Sequence, residues 1–206
     1  MEPLHLLYRD EALLVVCKPA GLLAVPGRGE AGADNLTARL QGLHADALVV
    51  HRLDMATSGL MVFARGAAAQ RALSMAFEAR RVHKHYEAIV EGAVSGHSGE
   101  IRAPLMADWP NRPRQQVSFE QGKAACTLWR VLQREAQATR LALTPVTGRT
   151  HQLRVHLQHI GHAIRGDALY AQAPLQADRL LLHATQLGFE HPTHRTPLSF
   201  SSPAPF

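Results

Sequence analysis

Apolar residues occur in short runs separated by turn-forming residues, a pattern that predicts more strands than helices. The runs predicted as strands are residues 13–17, 48–50, 60–64, 85–90, 117–119, 126–132 and 140–144. Their spacing lacks the regular alternation of strand and helix that is typical of a Rossmann sheet. The pattern therefore predicts a mixed α+β fold with a largely antiparallel sheet.

Three segments of the chain show helical periodicity instead. It predicts helices over residues 34–43, 67–81 and 150–159. Asp34 or Asn35 is expected to cap the first helix through a side-chain oxygen. Because the pattern predicts seven strands and only three helices, the sheet is expected to dominate the fold.

The composition is that of a folded protein. Of the 206 residues, 46% are hydrophobic and 19% are charged, which excludes a disordered chain. This length predicts one large domain, or one domain with an appendage. No apolar run approaches the roughly 20 residues of a membrane span, and the first residues lack the basic segment of a secretion signal. The two widely spaced cysteines, Cys17 and Cys126, fit a reducing compartment, so we expect a cytoplasmic protein.

The charge balance is moderately basic. The chain has 22 Lys and Arg residues against 17 Asp and Glu, a net charge of +5, and few of the cations are lysines. Arginine side chains favour bidentate contacts with phosphate or carboxylate groups. The composition is therefore compatible with a polyanionic partner, although it does not establish one.

One aspartate, Asp54, lies in a polar loop between two predicted strands. A loop on a rigid scaffold can present such a carboxylate to a cleft for catalysis. Arg52 precedes it by two residues, and the turn-forming residues 57–59 follow. Loop aspartates commonly form Asx turns or surface ion pairs instead. The residues alone favour this second, structural interpretation.

The segment at residues 147–157 is a second candidate site. Thr150 and Arg154 are four residues apart, so on a helix they would share one face near its N-terminal end. A helix N-terminus with Arg149 and Arg154 nearby suits an anionic group, whether phosphate or carboxylate. A solvated polar helix face explains the same residues equally well. The residues leave these two interpretations open.

Tyr86 is the third candidate. On its predicted strand it shares a face with Ala88 and Val90, because alternate residues of a strand point to the same side. This pattern favours a core tyrosine whose hydroxyl group has a hydrogen-bond partner.

The histidines raise the question of a metal site. Those near the third predicted helix are His151, His156, His159 and His162, and an HxxH pair is formed by His191 and His194. The HExxH motif of zinc proteases is absent, and so are the Walker and GxSxG motifs. We therefore expect no metal, no nucleotide cofactor and no serine-hydrolase site.

Five blocks of the sequence belong together. In chain order they are residues 18–22 (KPAGL), 51–60 (HRLDMATSGL), 84–86 (KHY), 147–156 (TGRTHQLRVH) and 161–167 (GHAIRGD). They resemble the KPxGL, HRLDxxTSGL, KxY, TGRTHQLRVH and GHPIxGD motifs of the RluA-type RNA pseudouridine synthases. Ala163 stands where the last motif has proline. The resemblance covers nearly the whole chain.

The resemblance implies the pseudouridine synthase fold, with a mixed, largely antiparallel central sheet, flanking helices and loops, and an active-site cleft across the sheet. It implies a single catalytic domain over residues 1–206, because the 17 residues before Lys18 are too few for the S4-type RNA-binding domain of other branches. The implied enzyme isomerises uridine in RNA to pseudouridine. That reaction requires neither a redox cofactor nor a metal.

The resemblance also implies roles for single residues. Asp54 matches the catalytic carboxylate, which acts either as a nucleophile at C1′ or as a base at C2′ of the ribose. Arg154 is expected to face Asp54 and to keep it ionised in a dry pocket. Tyr86 is expected to pack against the uracil near C5. The target base must leave the RNA stack, and Arg52 is expected to fill the vacated space.

Further residues are expected to contact RNA. With Arg52 they are His51, Arg112, Arg114, Arg149 and His151. Residues 108–113 (DWPNRP) resemble the branch of the family that modifies both 23S rRNA and the tRNA anticodon stem-loop. One or both of these RNAs are therefore the expected partners of a monomeric enzyme.

Two other interpretations of the sequence are left open. One is a glycosidic-bond hydrolase, which would use water and usually a second carboxylate. The other is an RNA-binding module without catalytic activity.

Overall fold

A computed structural model describes residues 4–27, 29–171 and 177–206 of the chain. In chain order its strands and helices are β1 (His5–Arg9), β2 (Leu13–Lys18), α1 (Leu36–Gln41), β3 (Ala47–Val49), β4 (Ser58–Arg65), α2 (Ala67–Glu78), β5 (His83–Glu91), β6 (Ser98–Ile101), β7 (Leu105–Ala107), β8 (Gln115–Val117), β9 (Thr127–Arg134), β10 (Ala138–Pro145), α3 (Gln152–His159), β11 (Leu182–Glu190) and β12 (Pro197–Ser201).

The chain divides into two compact units. Unit 1 comprises Met1–Lys84 and His183–Pro205, and unit 2 comprises His85–Leu182 and Phe206. Unit 1 is therefore built from two segments that are far apart in the sequence. The expectation of one catalytic domain over residues 1–206 stays a prediction.

The sheet of unit 1 is built around β4. This strand pairs antiparallel with β2 and β3, and it pairs parallel with β11 at Ser58 and Gly59. β1 extends the sheet beside β2, and β12 pairs with β11. Residues 58–64 of β4 are all buried, so this central strand is a continuous buried run rather than an alternating one. α2 packs on the sheet and buries Leu73 in the core.

Unit 2 has an antiparallel sheet and a separate hairpin. β5, β10, β9 and β6 are neighbours in that order, and β10 sets Leu143 opposite Tyr86 of β5. β7 and β8 form the hairpin, whose turn holds the Pro- and Arg-rich segment at residues 108–114. A small core cluster that includes Leu105 of β7 and Val155 of α3 lies between the hairpin and the helix.

The predicted α+β fold with a largely antiparallel sheet is confirmed. Each of the seven predicted runs overlaps a strand, although the run at residues 117–119 meets β8 only at Val117. Asn35, rather than Asp34, caps α1, because its side-chain oxygen accepts a hydrogen bond from the N–H of Ala38 at 2.9 Å. None of the helices in the described ranges is long and apolar enough to cross a membrane.

The third helix starts later than predicted. His151 has a φ of 54°, in the left-handed region, and α3 begins at the next residue. Thr150 therefore lies outside the helix. The expectation that Thr150 and Arg154 share one helix face is wrong for this reason.

Candidate active site

Asp54 lies in the loop between β3 and β4, as predicted, and it is half-buried. The N–H of Thr57 donates to the main-chain carbonyl of Asp54 at 3.1 Å. This bond closes a turn immediately after the carboxylate. Arg52, two residues earlier, is exposed to solvent.

A fully buried lysine, Lys18, connects this loop to the end of β2. Its ammonium group donates to two carbonyl oxygens within residues 19–22 at 2.8 and 2.7 Å, and to the Met55 carbonyl oxygen at 3.0 Å. The N–H of Gly21 donates to the same Met55 carbonyl at 2.9 Å. Hydrogen bonds from a charged donor are roughly twice as strong as neutral ones. The KPAGL block therefore holds the residue that directly follows Asp54.

The other end of the loop is fixed where β4 begins beside β11. Gly59 has a φ of 117°, and a Cβ atom there would overlap the main-chain nitrogen and oxygen of Ala184. Only glycine fits this close approach of two backbones. Ser58 and His183, both buried, are joined by a 2.7 Å hydrogen bond between Oγ and Nδ1. The loop is thus anchored at both ends, which holds Asp54 in a defined position.

His51, at the start of the same loop, has two contacts within unit 1. Its ring stacks on Phe77 with 4.4 Å between centroids, and its Nε2 accepts a hydrogen bond from the N–H of Val62 at 3.0 Å. Burial, with a smaller contribution from the charge of Lys84, lowers the pKa of His51 from 6.5 to about 3. The ring is therefore neutral at pH 7, with its proton on Nδ1. Contact of His51 with RNA stays a prediction.

Arg154 of α3 forms a buried ion pair with Asp167. Its Nε and Nη2 donate to the two carboxylate oxygens at 2.8 and 2.7 Å, in a bidentate arrangement. Arg154 is 5% exposed and Asp167 is fully buried. The interpretation of α3 as a solvated polar face is therefore wrong. The anionic group that Arg154 binds here is the Asp167 carboxylate of the same chain. The pairing of Arg154 with Asp54 stays a prediction.

The remaining polar residues of the TGRTHQLRVH block form internal hydrogen bonds. The Gln152 side-chain oxygen accepts from the Thr147 hydroxyl at 2.6 Å and from the Arg149 N–H at 3.0 Å. His156 is completely buried, and its Nε2 donates to the Ala103 carbonyl at 2.9 Å. Burial lowers the pKa of His156, so this ring is also neutral at pH 7. These residues build the framework around Arg154.

Tyr86 lies on β5 at the point where the strand comes out of the core. Ala88 and Val90 of the same strand are fully buried, whereas Tyr86 is half-buried. Tyr86 is therefore less buried than the residues with which it shares a strand face, and its interpretation as a core tyrosine stays a prediction. Contact of Tyr86 with uracil stays a prediction.

Comparison with known proteins identifies the family. A family model described as RNA pseudouridylate synthase matches residues 12–159, which include the Asp54 loop, Tyr86 and Arg154. The chain belongs to the RNA pseudouridylate synthase family. The expectation of an RluA-type RNA pseudouridine synthase, an isomerase that acts on RNA, is confirmed.

Sequence relatives and solved structures of synthases agree with this assignment. The chain is 49% identical to the dual-specificity RNA pseudouridine synthase RluA of Vibrio cholerae serotype O1, over 92% of this chain and 78% of the relative. It is 47% identical to the protein of the same name from Escherichia coli K12, over 98% of this chain and 94% of the relative. The solved structure of human RNA pseudouridylate synthase domain containing 1 is similar with a TM-score of 0.84 and 28% identity, covering 100% of this chain and 87% of that one.

Two of the arginines expected to contact RNA lie on the β7–β8 hairpin of the synthase, and both are exposed. The guanidinium carbon of Arg112 lies 3.4 Å from the ring centroid of Trp109, which is 64% exposed. The guanidinium carbon of Arg114 lies 5.4 Å from the ring of Tyr170. Both are cation–π contacts that fix the direction of a positive charge.

Two further residues expected to contact RNA, Arg149 and His151, lie directly before α3. Arg149 is exposed, and its Nε donates to the Ala124 carbonyl at 3.2 Å. His151 Nδ1 lies 2.7 Å from the hydroxyl oxygen of Tyr170. Contact of these four residues with RNA stays a prediction.

Among the residues that the structure describes, one group has the composition of a metal site. Glu11, His191 and His194 have ligand atoms within 4.8 Å of one another. However, both nitrogens of His191 have partners: Nδ1 accepts from the N–H groups of Thr193 and His194 at 3.2 and 3.0 Å, and Nε2 lies 2.9 Å from Asp10 Oδ2. His191 therefore stabilises the turn between β11 and β12. The absence of a catalytic metal stays a prediction.

Proposed function

We propose that the synthase isomerises uridines in stem-loops of 23S rRNA and tRNA, with Asp54 as the catalytic carboxylate. The observation that carries the proposal is the anchored loop, in which Lys18 and Gly59 fix the backbone on either side of Asp54. A carboxylate that attacks a ribose carbon, or removes a proton from it, must be held within about 0.5 Å of its productive position. The loop meets this requirement through its backbone, and the carboxylate itself is half-buried.

The reaction conserves the atoms and electrons of the nucleotide. The N1–C1′ bond breaks, the uracil rotates, and a C5–C1′ bond forms, after which C5 loses a proton and N1 gains one. Asp54 either forms a temporary bond to C1′ or removes the C2′ proton and returns it. We assign to Tyr86 the face of the uracil, near the C5 proton that is lost.

We assign to Arg154 the positive charge that keeps Asp54 ionised. The assignment rests on the resemblance to the family motif, and the bidentate pair with Asp167 supports it by fixing the guanidinium group. An arginine has five N–H donors, which suffice for two carboxylates at once.

The substrate assignment rests on the relatives and on the exposed arginines. The curated relatives are named dual-specificity synthases, and residues 108–113 resemble the branch that modifies 23S rRNA and tRNA. Extraction of the base requires a group to occupy its place, which we assign to the exposed Arg52. Arg112 and Arg114 would hold the phosphates of the loop. We propose that the enzyme acts as a monomer in the cytoplasm, where these RNAs are found.

Asp54→Asn tests this proposal. The amide keeps the shape of the side chain but is neither a nucleophile nor a base, so kcat should fall by at least about 100-fold with little change in RNA affinity. The measurement is tritium release from stem-loops that carry 5-tritiated uridine, together with mass analysis of the nucleosides. Asp46→Asn, which changes an exposed aspartate of unit 1, is the matched control and should keep the wild-type rate.

Three results would contradict the proposal in different ways. Substantial pseudouridine formation by Asp54→Asn excludes Asp54 as the catalytic group. Free uracil as the product of the wild-type protein indicates a hydrolase. RNA binding without any product from either stem-loop indicates a binding module.

A further inference from the structure

Tyr170 of unit 2 contacts both Arg114, which is proposed to bind RNA, and Arg154, which is proposed to act in the active site. It is 5% exposed and belongs to the core cluster between the β7–β8 hairpin and α3. The main-chain N–H of Gln115, the residue that follows Arg114, donates to its hydroxyl oxygen at 2.7 Å. The same hydroxyl forms a second hydrogen bond, 2.7 Å long, with His151 Nδ1. The hydroxyl thus connects the hairpin to the residue that precedes α3.

The ring and backbone of Tyr170 contact the Arg154 pair. The guanidinium carbon of Arg154 lies 5.0 Å from the ring centroid, and that of Arg114 lies 5.4 Å from it. The N–H of Tyr170 donates to Oδ1 of Asp167 at 3.2 Å, the same oxygen that accepts from Arg154. One buried side chain therefore contacts an arginine of the proposed RNA surface and the arginine of the proposed active site.

We propose that Tyr170 is a positioning residue that couples the docking of RNA on the hairpin to the placement of Arg154. The proposal rests on the proposed function above. Binding energy from parts of a substrate remote from the reaction raises kcat only when it is transmitted to the reacting centre. The bond from Gln115 to Tyr170, followed by the contacts of Tyr170 with Asp167 and Arg154, provides that connection within one unit.

Burial raises the pKa of Tyr170, so its phenol stays protonated at the pH of the reaction. The hydroxyl is therefore present as both acceptor and donor whenever RNA binds. Removal of this one oxygen should separate the two events without removing either arginine.

Tyr170→Phe is the test. It keeps the ring that both arginines contact and removes only the hydroxyl. We expect the stem-loop Kd to change by less than about threefold, because the exposed arginines remain, and kcat at saturating RNA to fall about tenfold. Tyr8→Phe is the matched control, since it also removes a short hydroxyl hydrogen bond, 2.8 Å to Asp10, but in unit 1. This control should keep the wild-type kcat and Kd.

A second variant removes the donor of the same hydrogen bond. Gln115→Pro lacks the main-chain N–H, and proline is tolerated at the first residue of a strand. It should reproduce the fall in kcat, and the double variant should be no slower than Tyr170→Phe, because Tyr170→Phe already removes the bond that Gln115→Pro removes. This result also decides the matter if Tyr170→Phe does not fold.

The proposal is overturned if kcat per folded molecule stays within twofold of wild type in both variants. It is also overturned if Kd rises tenfold at constant kcat, since Tyr170 would then only shape the RNA surface. A wild-type protein that makes no pseudouridine in either stem-loop overturns the proposed function and the coupling together. If the wild-type protein is active and both variants have the wild-type kcat, the coupling through Tyr170 is overturned but the proposed function is not.

Discussion

Asp54 and Arg154, the two charged residues assigned to the reaction, are held by different means. The Asp54 loop is fixed through its backbone, by the ammonium group of Lys18 and by the close approach of Gly59 to β11. Arg154 is fixed through its side chain, by a bidentate pair with the fully buried Asp167. The first arrangement fixes the main chain on either side of the carboxylate, whereas the second orients the charged group itself.

This difference determines what each region tolerates. A buried ion pair needs both charges, because removal of one leaves the other uncompensated in a medium of low dielectric constant. Lys18 donates to three main-chain carbonyls, so its removal takes one hydrogen-bond donor from each of them. The Arg154 region should therefore be the more sensitive of the two to a single substitution.

Asp167→Asn should have the largest effect. It removes the buried carboxylate that forms the bidentate pair with Arg154, and we expect a loss of about 3–5 kcal/mol in the free energy of unfolding. Urea titration at pH 7 measures this loss. Asp34→Asn is the control, because Asp34 forms the same bidentate pair with Arg39 at 2.6 Å but at the surface. Equal stability losses in the two variants would show that burial does not distinguish these pairs.

Lys18→Met should be the next in size. Methionine matches the length of the lysine but donates no hydrogen bond, which costs about 1 kcal/mol for each of the three carbonyls, or about 2–3 kcal/mol in total. We also expect kcat to fall at least tenfold, because the Met55 carbonyl loses its connection to β2. Urea titration and the tritium-release assay measure the two effects. The control is Lys123→Met, which changes an exposed lysine and should leave stability unchanged. A stable and fully active Lys18→Met would show that Lys18 does not fix the backbone of the Asp54 loop.

A smaller effect concerns pH and the Asp54 loop. The pKa of His51 is about 3 in the folded protein and about 6.5 in the unfolded chain, so between these values the unfolded chain binds more protons. Stability is therefore complete above pH 6.5 and is lost as the pH falls toward 3. Because part of the residue reaches solvent, we expect about 1 kcal/mol of loss between pH 7.5 and 5.5. His51→Gln can still accept from Val62 and does not titrate, so it should flatten this part of the profile.

The histidine variant should not abolish the pH dependence. Burial also lowers the pKa of His156, which contributes a slope of the same sign from the Arg154 framework. Thermal unfolding at several pH values gives the comparison. Identical profiles of His51→Gln and wild type would mean that the ring of His51 is not the titrating group.

The smallest effect on the fold is expected at the hairpin. Arg112→Ala removes an exposed cation–π contact and should change the free energy of unfolding by less than about 0.5 kcal/mol. If Arg112 contacts phosphate, the slope of log K against log salt for a stem-loop should become flatter by about 0.7. Arg71→Ala, an exposed arginine on α2, is the control and should keep the wild-type slope. A slope unchanged in both would exclude Arg112 from the RNA surface.

Local pattern was sufficient to predict much of unit 1. The runs that became β2 and β4 are continuous and apolar, and the loop between β3 and β4 is polar, so Asp54 could be placed from the sequence. β11 could not be predicted, because the buried polar residues His183 and Thr185 interrupt its apolar pattern. Those polar residues are accommodated by partners such as Ser58, which is 125 positions from His183 in the sequence.

The partners of Arg154 could not be predicted for a related reason. Asp167 was visible as the last residue of the GHAIRGD block, but nothing local indicated which cation it contacts. Tyr170 was not singled out at all, since its partners Gln115 and His151 come from distant segments. Periodicity reports which face of an element is buried, whereas an ion pair between segments is decided by tertiary packing.

The division of unit 1 between two distant segments has a consequence for synthesis in the cell. Residues 1–84 are translated before residues 85–182 of unit 2, yet β11, the parallel partner of β4, follows those residues in the chain. The backbone groups of β4 at Ser58 and Gly59 therefore lack their β11 partners while about 100 further residues are added. Translation adds roughly 5–20 residues per second. Unit 2 is nearly contiguous and can close during that interval. Synthesis from the N-terminus to the C-terminus therefore supplies residues 85–182, which include the Arg154 region, before it supplies the strand that completes the sheet beside the Asp54 loop.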